Sequence, residues 1–182
     1  MASPNTKRDK SLDYSDLYNT SVESLDALFK HATFDKTKTL FEPCAGIGCV
    51  SEYFRNKQYN METNELFDHG YKTDYNLDFL TSDFKHYDII VSNPPYKLAK
   101  KFVLKGFEVA TEQYLFLRLD FLASKNRKLE LFDLKKLKTV YVFSERVSCT
   151  EGKAQEPTTN AVNYAWFHFD NNYNGNPEII WF

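Results

Sequence analysis

The four residues Asn93-Pro94-Pro95-Tyr96 have the composition to hold a planar amino group. Asn93 offers a side-chain amide oxygen as an acceptor. Each proline biases the residue before it toward extended geometry, so backbone carbonyl groups point outward instead of into a helix. Tyr96 adds a flat aromatic face. The tetrapeptide predicts a rigid turn that accepts hydrogen bonds from an NH₂ group and stacks on the group that carries it; an ordinary Pro-Pro turn is the alternative.

A glycine turn lies upstream of this tetrapeptide. Residues 39–42 predict a short strand that runs into Pro43-Cys44-Ala45-Gly46-Ile47-Gly48, where two of the six glycines of the chain lie one residue apart. Such glycines permit positive φ and a close approach of a ligand to the backbone. The spacing is not that of a dinucleotide fingerprint, since position 51 is Ser, nor that of a phosphate-binding P-loop. Glu42, at the strand end, suits a ligand with a positively charged amine.

In combination, 42–48 and 93–96 resemble the cofactor loop and the catalytic loop of class I S-adenosylmethionine-dependent amino-methyltransferases. The similarity is greatest to short phage-type DNA adenine-N6 methyltransferases. It extends to the N-terminal motif Asp16-Leu17-Tyr18-Asn19-Thr20 and to later segments at 118–122, 140–148 and 164–167, so that it covers roughly residues 12–182. The resemblance implies an α/β, Rossmann-like fold with a mainly parallel seven-stranded sheet, helices on both faces and a C-terminal antiparallel hairpin.

The resemblance also implies roles for individual residues. Glu42 would accept from the methionine ammonium of S-adenosylmethionine, Glu62 would hold the ribose hydroxyls with Glu65 as the second choice, and Asp78 would accept from the adenine amine. The full expected cofactor-binding set is Tyr18, Thr20, Glu42, Pro43, Cys44, Ala45, Gly46, Gly48, Glu62, Asp78, Phe79 and Asn93. Ser21 departs from the proline usual in the family, which weakens the assignment of Tyr18 and Thr20.

The expected catalytic set is Asn93, Pro94, Pro95 and Tyr96. An aromatic or amide NH₂ is a poor nucleophile because its lone pair is delocalised. Hydrogen bonds from its two N–H groups to the Asn93 oxygen and the Pro94 carbonyl would favour a localised lone pair, and positioning would supply most of the rate. Tyr96 would stack on a base that has left the duplex or is already single-stranded.

Basic residues follow the tetrapeptide although the net charge is only −2. That charge disfavours a protein that coats nucleic acid by bulk attraction. Two clusters near predicted strand ends are nevertheless expected to contact backbone phosphates, with solvated helix surface as the alternative. Together with Tyr96, they form the expected substrate-binding set: Lys97, Lys101, Lys125, Arg127 and Lys128.

Helix and strand patterns alternate along the chain, which predicts a mainly parallel sheet covered on both sides. We expect a Thr20–Glu23 capping box before a first helix, strands near 59–62, 76–80, 87–92, 114–119 and 138–143, helices near 97–110 and 128–137, and a hairpin formed by 163–169 and 178–182. We further expect a flexible tail at 1–11, one catalytic domain at 12–182 without a separate target-recognition domain, and a mobile loop at 144–160.

Composition limits the other possibilities. A hydrophobic content of 42% with 16% aromatic residues indicates a folded domain. No apolar run is long enough to span a membrane. Three cysteines without a C-x-x-C pair favour a reducing cytoplasm, or that of a host if the chain is phage-encoded, and the scattered histidines predict no metal site.

The substrate stays open at this level, because the tetrapeptide recognises a planar amine and not its carrier. Adenine N6 in DNA is favoured by the resemblance. A base amine in RNA and a glutamine amide in a protein are the enzymatic alternatives, and a cofactor-binding partner subunit without activity is the non-enzymatic one. The oligomeric state and the recognised sequence are not predicted.

Overall fold

The computed structural model describes residues 17–145, 147, 150–151 and 162–182. The helices in these ranges are α1 (Val22–His31), α2 (Cys49–Asn56), α3 (Ala99–Val109) and α4 (Lys125–Glu130). The strands are β1 (Tyr18–Asn19), β2 (Thr39–Glu42), β3 (Asn60–Thr63), β4 (Tyr87–Ser92), β5 (Ala110–Arg118), β6 (Leu137–Val142), β7 (Thr150–Glu151), β8 (Tyr164–Asp170) and β9 (Glu178–Trp181).

Seven of these strands form one sheet in the order β3-β2-β4-β5-β8-β6-β9, and β1 pairs antiparallel with β7 in a separate two-stranded sheet. All neighbours in the large sheet are parallel except at β8, which lies antiparallel between β5 and β6. The expected Rossmann-like, mainly parallel seven-stranded sheet is therefore confirmed.

The last two strands run in opposite directions, as expected, but they are not adjacent. β6 lies between β8 and β9 and pairs in parallel with β9. The connection at 171–177 is long enough to pass the end of β6, whereas a tight hairpin turn would have forced β8 and β9 to pair directly.

Successive side chains of the central strands pack alternately into two hydrophobic cores, one on each face of the sheet. Leu40 of β2 packs with Leu28 of α1 and Phe54 of α2, while its neighbour Phe41 packs on the opposite face with Phe102 of α3. This alternation follows from the two-residue period of a strand. Both faces of the sheet are thereby covered, as a parallel sheet requires.

Local predictions differ from the structure at three places. The N-cap of α1 is Ser21, whose Oγ accepts from the Ser24 amide, so the capping box expected to begin at Thr20 is wrong. Residues 76–80 form no strand. The residues just before them bind the end of β3, where the amides of Asp74 and Tyr75 donate to the Thr63 carbonyl, and Tyr75 forms an isolated bridge with Asn64. The helix expected at 128–137 is the short α4 followed by a 3₁₀ helix at Phe132–Leu134.

Within the described ranges, no helix combines the length and the apolar character that a membrane span needs. The expected tail at 1–11, Asp16 of the N-terminal motif and most of the expected mobile loop at 144–160 lie outside the described residues.

Candidate active site

The glycine turn and the Asn93 turn meet at one edge of the sheet. β2 and β4 are parallel neighbours, with Leu40 opposite Ile89 and Phe41 opposite Ile90, so both turns leave the carboxyl ends of adjacent strands. The Cys44 Sγ lies 3.0 Å from the Ser92 Oγ. The chain continues from β2 toward β3 on one side and from β4 toward β5 on the other, which makes this the point where strand order reverses and where such sheets bind ligands.

A cavity of about 360 Å³ opens between the two turns. Its walls come from the N-terminal segment 17–20, the glycine turn, the segment 65–69, the segment 77–80 and the Asn93 turn. The expected cofactor residues that line it are Tyr18, Thr20, Glu42, Pro43, Cys44, Ala45, Gly46, Asp78, Phe79 and Asn93. Five separate stretches of the chain thus converge on one cavity of ligand size.

Glu42 lies almost fully buried at the floor of this cavity. Its Oε2 accepts a hydrogen bond from the hydroxyl of Ser51, which is the third residue of α2. Burial raises the pKa of Glu42 well above its ordinary value, and the nearby Glu65 carboxylate adds to the rise. A cationic group entering the cavity would stabilise the ionised form of Glu42 and would be held by it.

The glycine turn needs its glycines for steric reasons. Gly46 and Gly48 have φ of +56° and +86°, and Gly48 is the residue that precedes α2. A Cβ on Gly48 would lie 2.4 Å from the ring of Tyr71, and one on Gly46 would lie 2.7 Å from Cδ1 of Leu17. Gly48 does not line the cavity. Because it has no Cβ, the Tyr71 ring can pack against its α-carbon, and this contact shapes the turn.

Of the two acidic residues near the end of β3, Glu65 lines the cavity and Glu62 does not. The Glu62 carboxylate accepts from Tyr75 at 2.9 Å and Tyr87 at 2.7 Å and pairs with Lys85, and these hydrogen bonds outweigh partial burial in lowering its pKa. Glu62 does not line the cavity. Glu65 does, and its Oε2 accepts from the amide of Gly46 at 2.8 Å.

A short extension of the chain beyond β3 places Glu65 in the cavity wall. Asn64 is fully buried and its side-chain amide donates to the carbonyls of Pro43 at 3.0 Å and Leu77 at 2.9 Å. These two hydrogen bonds join the glycine turn to the segment that contains Asp78 and Phe79, and they place the next residue, Glu65, in the cavity wall. The Asp78 Oδ1 accepts from the Leu80 amide at 2.9 Å.

Asn93 is held by the N-terminal segment. Its Nδ2 donates to the backbone carbonyl of Tyr18 at 2.8 Å. The Asn93 Oδ1 is buried and has no hydrogen-bond partner among the described residues. A buried acceptor without a donor costs free energy, and in a cavity wall it marks the place where a ligand N–H group is expected.

Tyr96 lies at the border of a second cavity, of about 330 Å³. Its ring centroid lies 5.0 Å from that of Tyr18 and 5.7 Å from that of Tyr164. Lys97 lines both cavities, and the second one is further lined by Arg118, Asp120, Phe121 and Arg127. The turn 93–96 therefore lies between the cavity that holds Glu42 and a second cavity with a basic rim.

The basic residues expected to bind substrate have different surroundings. Lys97, Lys101 and Lys125 are exposed. Lys128 pairs with Asp133 at 2.9 Å. Arg127 uses its guanidinium to bind the carbonyls of Phe121 and Asp120, at 2.5 and 3.0 Å, and so fixes the 3₁₀ helix Leu119–Leu122 at the rim of the second cavity.

Among the described residues, Glu112, His168 and Asp170 bring potential metal ligands within 4.8 Å of one another. They lie away from the cavity, near the amino end of β5. The His168 Nε2 is 2.8 Å from Glu112, and Lys138 Nζ is 3.0 Å from Asp170. Each member of this group thus already has a partner within the chain, and the expected lack of a metal site stays a prediction.

Sequence reasoning missed several residues of the cavity. Leu66, Phe67 and His69 line it, and Ser51 binds Glu42. In the sequence, Ser51 is noticeable only because it interrupts a dinucleotide fingerprint. Its hydroxyl, nine residues after Glu42 on the next helix, is nevertheless the hydrogen-bond partner that a buried carboxyl needs. The 65–69 segment carries no periodic pattern that would have placed it.

Comparison of the structure with solved structures finds similar folds. A Listeria monocytogenes protein assigned to the class I S-adenosylmethionine-dependent methyltransferases matches with a TM-score of 0.59 and 10% identity, over 87% of this chain and 61% of that protein. A dimethyladenosine transferase from Plasmodium falciparum matches with a TM-score of 0.58 and 14% identity, over 85% and 62%. The 23S rRNA methyltransferase ErmE matches with a TM-score of 0.55 and 14% identity, over 88% and 71%.

The fold is that of the class I methyltransferases. No protein-family model matches the sequence, and no curated protein matches it. At these identities the similarity establishes the fold alone.

Proposed function

We propose that this protein transfers a methyl group from S-adenosylmethionine to the N6 amine of adenine in a nucleic acid, with DNA as the first candidate. The proposal rests on the buried Asn93 Oδ1, which has no partner among the described residues. Asn93 lines the cavity that holds Glu42, and Tyr96, in the same turn, lines the second cavity. An acceptor in this position fits a donor that enters from the substrate side.

The cavity residues fit the cofactor. Glu42 and Glu65 supply buried carboxylates for an ammonium and for ribose hydroxyls, while Gly46, at positive φ and without a Cβ, lets Leu17 of the cavity wall approach the glycine turn closely. Asp78 would accept from the adenine amine of the cofactor, and Phe79 would pack against its ring. When bound, S-adenosylmethionine supplies a sulfonium-activated methyl group.

The residues of this chain contribute binding, orientation and polarisation. Asn93 Oδ1 and the carbonyl of Pro94 would accept from the two N–H groups of the target amine and so disfavour delocalisation of its lone pair into the ring. Tyr96 would stack on the base, with its own ring supported by those of Tyr18 and Tyr164. Fixed dipoles of this kind contribute most when they need no reorganisation during the reaction.

Two candidates remain for the polymer. The resemblance of 42–48 and 93–96 to phage-type enzymes favours DNA. The likeness of the fold to a dimethyladenosine transferase and a 23S rRNA methyltransferase supports RNA as the second candidate. The basic rim formed by Lys97, Arg118 and Arg127 suits a phosphate backbone of either kind.

Methyl-labelled S-adenosylmethionine, offered with duplex DNA, single-stranded DNA, RNA or a protein extract in separate reactions, tests the proposal. The polymer that takes up label is then digested and the modified nucleoside is identified. We expect N6-methylated adenine in DNA, and no label above background with Asn93→Ala.

Label in RNA alone would replace DNA by the second candidate. Label in protein alone, or on a base other than adenine, would overturn the proposed substrate. Equal labelling by wild type and Asn93→Ala would overturn the role of the turn.

A further inference from the structure

We propose that the backbone carbonyl of Tyr18 positions the Asn93 amide for catalysis, and that this contact makes asparagine, and not aspartate, the functional residue at position 93. The inference deepens the proposed function, because it names what holds the acceptor atom in place. Tyr18 is a positioning residue here: it acts through Asn93.

The hydrogen bond to Tyr18 fixes the direction of the Asn93 amide. A backbone carbonyl is an acceptor only, so the atom that faces the Tyr18 oxygen at 2.8 Å must be the Nδ2 donor. The planar amide then turns its Oδ1 away from Tyr18. That oxygen is the one left buried without a partner among the described residues.

The Tyr18 carbonyl lies in a segment that is itself held by two contacts. Residues 17–20, which we term the strap, line the cavity. One side of the strap pairs with β7, with Tyr18 opposite Glu151 and Asn19 opposite Thr150. The side chain of Leu17 lies so close to Gly46 that a Cβ there would approach its Cδ1 to 2.7 Å. The strap thus contacts both the glycine turn and the Asn93 turn.

A carboxylate at position 93 would lose the hydrogen bond to the Tyr18 carbonyl. An ionised aspartate has acceptors only, so one of its oxygens would face the Tyr18 carbonyl without a proton between them. In a buried site this repulsion raises the pKa of the carboxyl or displaces the side chain. A protonated carboxyl restores one donor, which can bind Tyr18 and leave the carbonyl oxygen free to accept from substrate.

The test is the pH dependence of Asn93→Asp under single-turnover conditions, divided by the wild-type profile at each pH. We expect low activity at alkaline pH and a relative rate that rises by about tenfold for each unit of decrease in pH until the carboxyl is protonated. Asn93→Ala is the matched control, since it has lost the amide and has no group that protonation can restore; its relative rate should stay low at every pH.

An independent measurement does not require activity. A ¹³C NMR titration of the introduced carboxyl in Asn93→Asp should give a pKa well above the ordinary value of about 3.9. The same carboxyl in Asn93→Asp combined with Leu17→Ala should titrate at lower pH, because the loosened strap no longer holds the carbonyl against it.

Wild-type-like activity of Asn93→Asp at alkaline pH, or an ordinary carboxyl pKa unaffected by Leu17→Ala, would overturn the inference. Failure of the proposed function gives a different result, since wild type would then label no nucleic acid while the titration still decides whether the strap governs position 93.

Discussion

At the scale of single residues, the site is defined by polar atoms that are buried before any ligand is bound. The Asn93 oxygen lacks a donor among the described residues, and Glu42 is buried with one hydroxyl partner, Ser51. Both conditions cost folding free energy. Residues that reduce stability in this way are expected where a ligand supplies the missing interaction.

Glu42→Gln should stabilise the unliganded protein at neutral and alkaline pH while weakening cofactor binding. Burial raises the pKa of Glu42, so the folded chain retains this proton to higher pH than the unfolded chain does. Protonation of Glu42 therefore stabilises the folded chain fully at acidic pH, and this stabilisation is lost as the pH rises through the folded-state pKa. Glutamine mimics the neutral form and avoids that loss.

Thermal denaturation of both proteins across pH measures this effect. The Tm of Glu42→Gln should exceed that of wild type by a few degrees at alkaline pH, and the difference should shrink toward acidic pH. Calorimetry should show weaker binding of S-adenosylmethionine to the variant. A variant that is less stable than wild type at alkaline pH, or that binds the cofactor equally well, would contradict the role given to Glu42.

At the scale of elements, the glycine turn is fixed from outside by a hydrogen-bonded tyrosine. The Tyr71 hydroxyl donates to Glu52 at 2.6 Å and accepts from Arg55 at 2.8 Å, both on α2. These bonds hold the ring over Gly48, at the start of the same helix. The turn therefore has little freedom to adjust to a larger residue.

Gly48→Ala should destabilise the protein by several kcal/mol and weaken cofactor binding. Alanine pays about 1–2 kcal/mol for the left-handed backbone conformation, and its Cβ would also meet the Tyr71 ring at 2.4 Å. Gly70→Ala is the matched control, because Gly70 has a similar φ of +83° and nothing within 4 Å of the added Cβ.

Urea denaturation of the two variants separates these effects. Gly70→Ala should lose only the backbone contribution and should bind the cofactor normally. Equal losses of stability in the two variants would show that the Tyr71 ring moves to make room for the added methyl group, and would contradict a rigid glycine turn.

The sequence predicts elements and their partners to different degrees. β2 and β4 are readable because each is a compact apolar run before a turn with glycine or proline, and their carboxyl ends meet as expected. The segment 76–80 is not a strand, because Asn64 binds the backbone at Leu77 and takes the place of ladder hydrogen bonds. The presence of Glu65 in the cavity wall has the same origin, because the extension beyond β3 depends on the buried side-chain amide of Asn64, which no local pattern reveals.

At the scale of the whole molecule, a slightly acidic chain concentrates cations beside its site. The net charge is −2, yet Lys97, Arg118 and Arg127 line the second cavity. Such an arrangement steers a polyanion to one face while the remaining surface does not retain it.

The variant Lys97→Gln/Lys101→Gln should weaken binding of nucleic acid and flatten its dependence on salt. Each phosphate contact that is lost should reduce the slope of log affinity against log salt by about one. Lys30→Gln/Lys36→Gln is the control, because it removes the same charge from exposed positions at the end of α1 and before β2, remote from the carboxyl edge of the sheet.

Fluorescence anisotropy over a range of salt concentrations, with the same labelled oligonucleotide for all three proteins, gives the slopes. Indistinguishable slopes for wild type and the Lys97/Lys101 variant would exclude these lysines from phosphate contact. An equal flattening in the Lys30/Lys36 control would mean that net charge, and not position, governs binding.

We propose that the Asn93 turn activates an amino group beside the cavity that Glu42 lines. Its contribution is given by the single-turnover rate of methyl transfer to adenine by Asn93→Ala and by wild type, with S-adenosylmethionine saturating for both. We expect the rate of the variant to be lower by about 10²–10³, the usual effect of removing one oriented polar group from a reaction site, with cofactor still bound. Equal rates in the two proteins would exclude this role for Asn93.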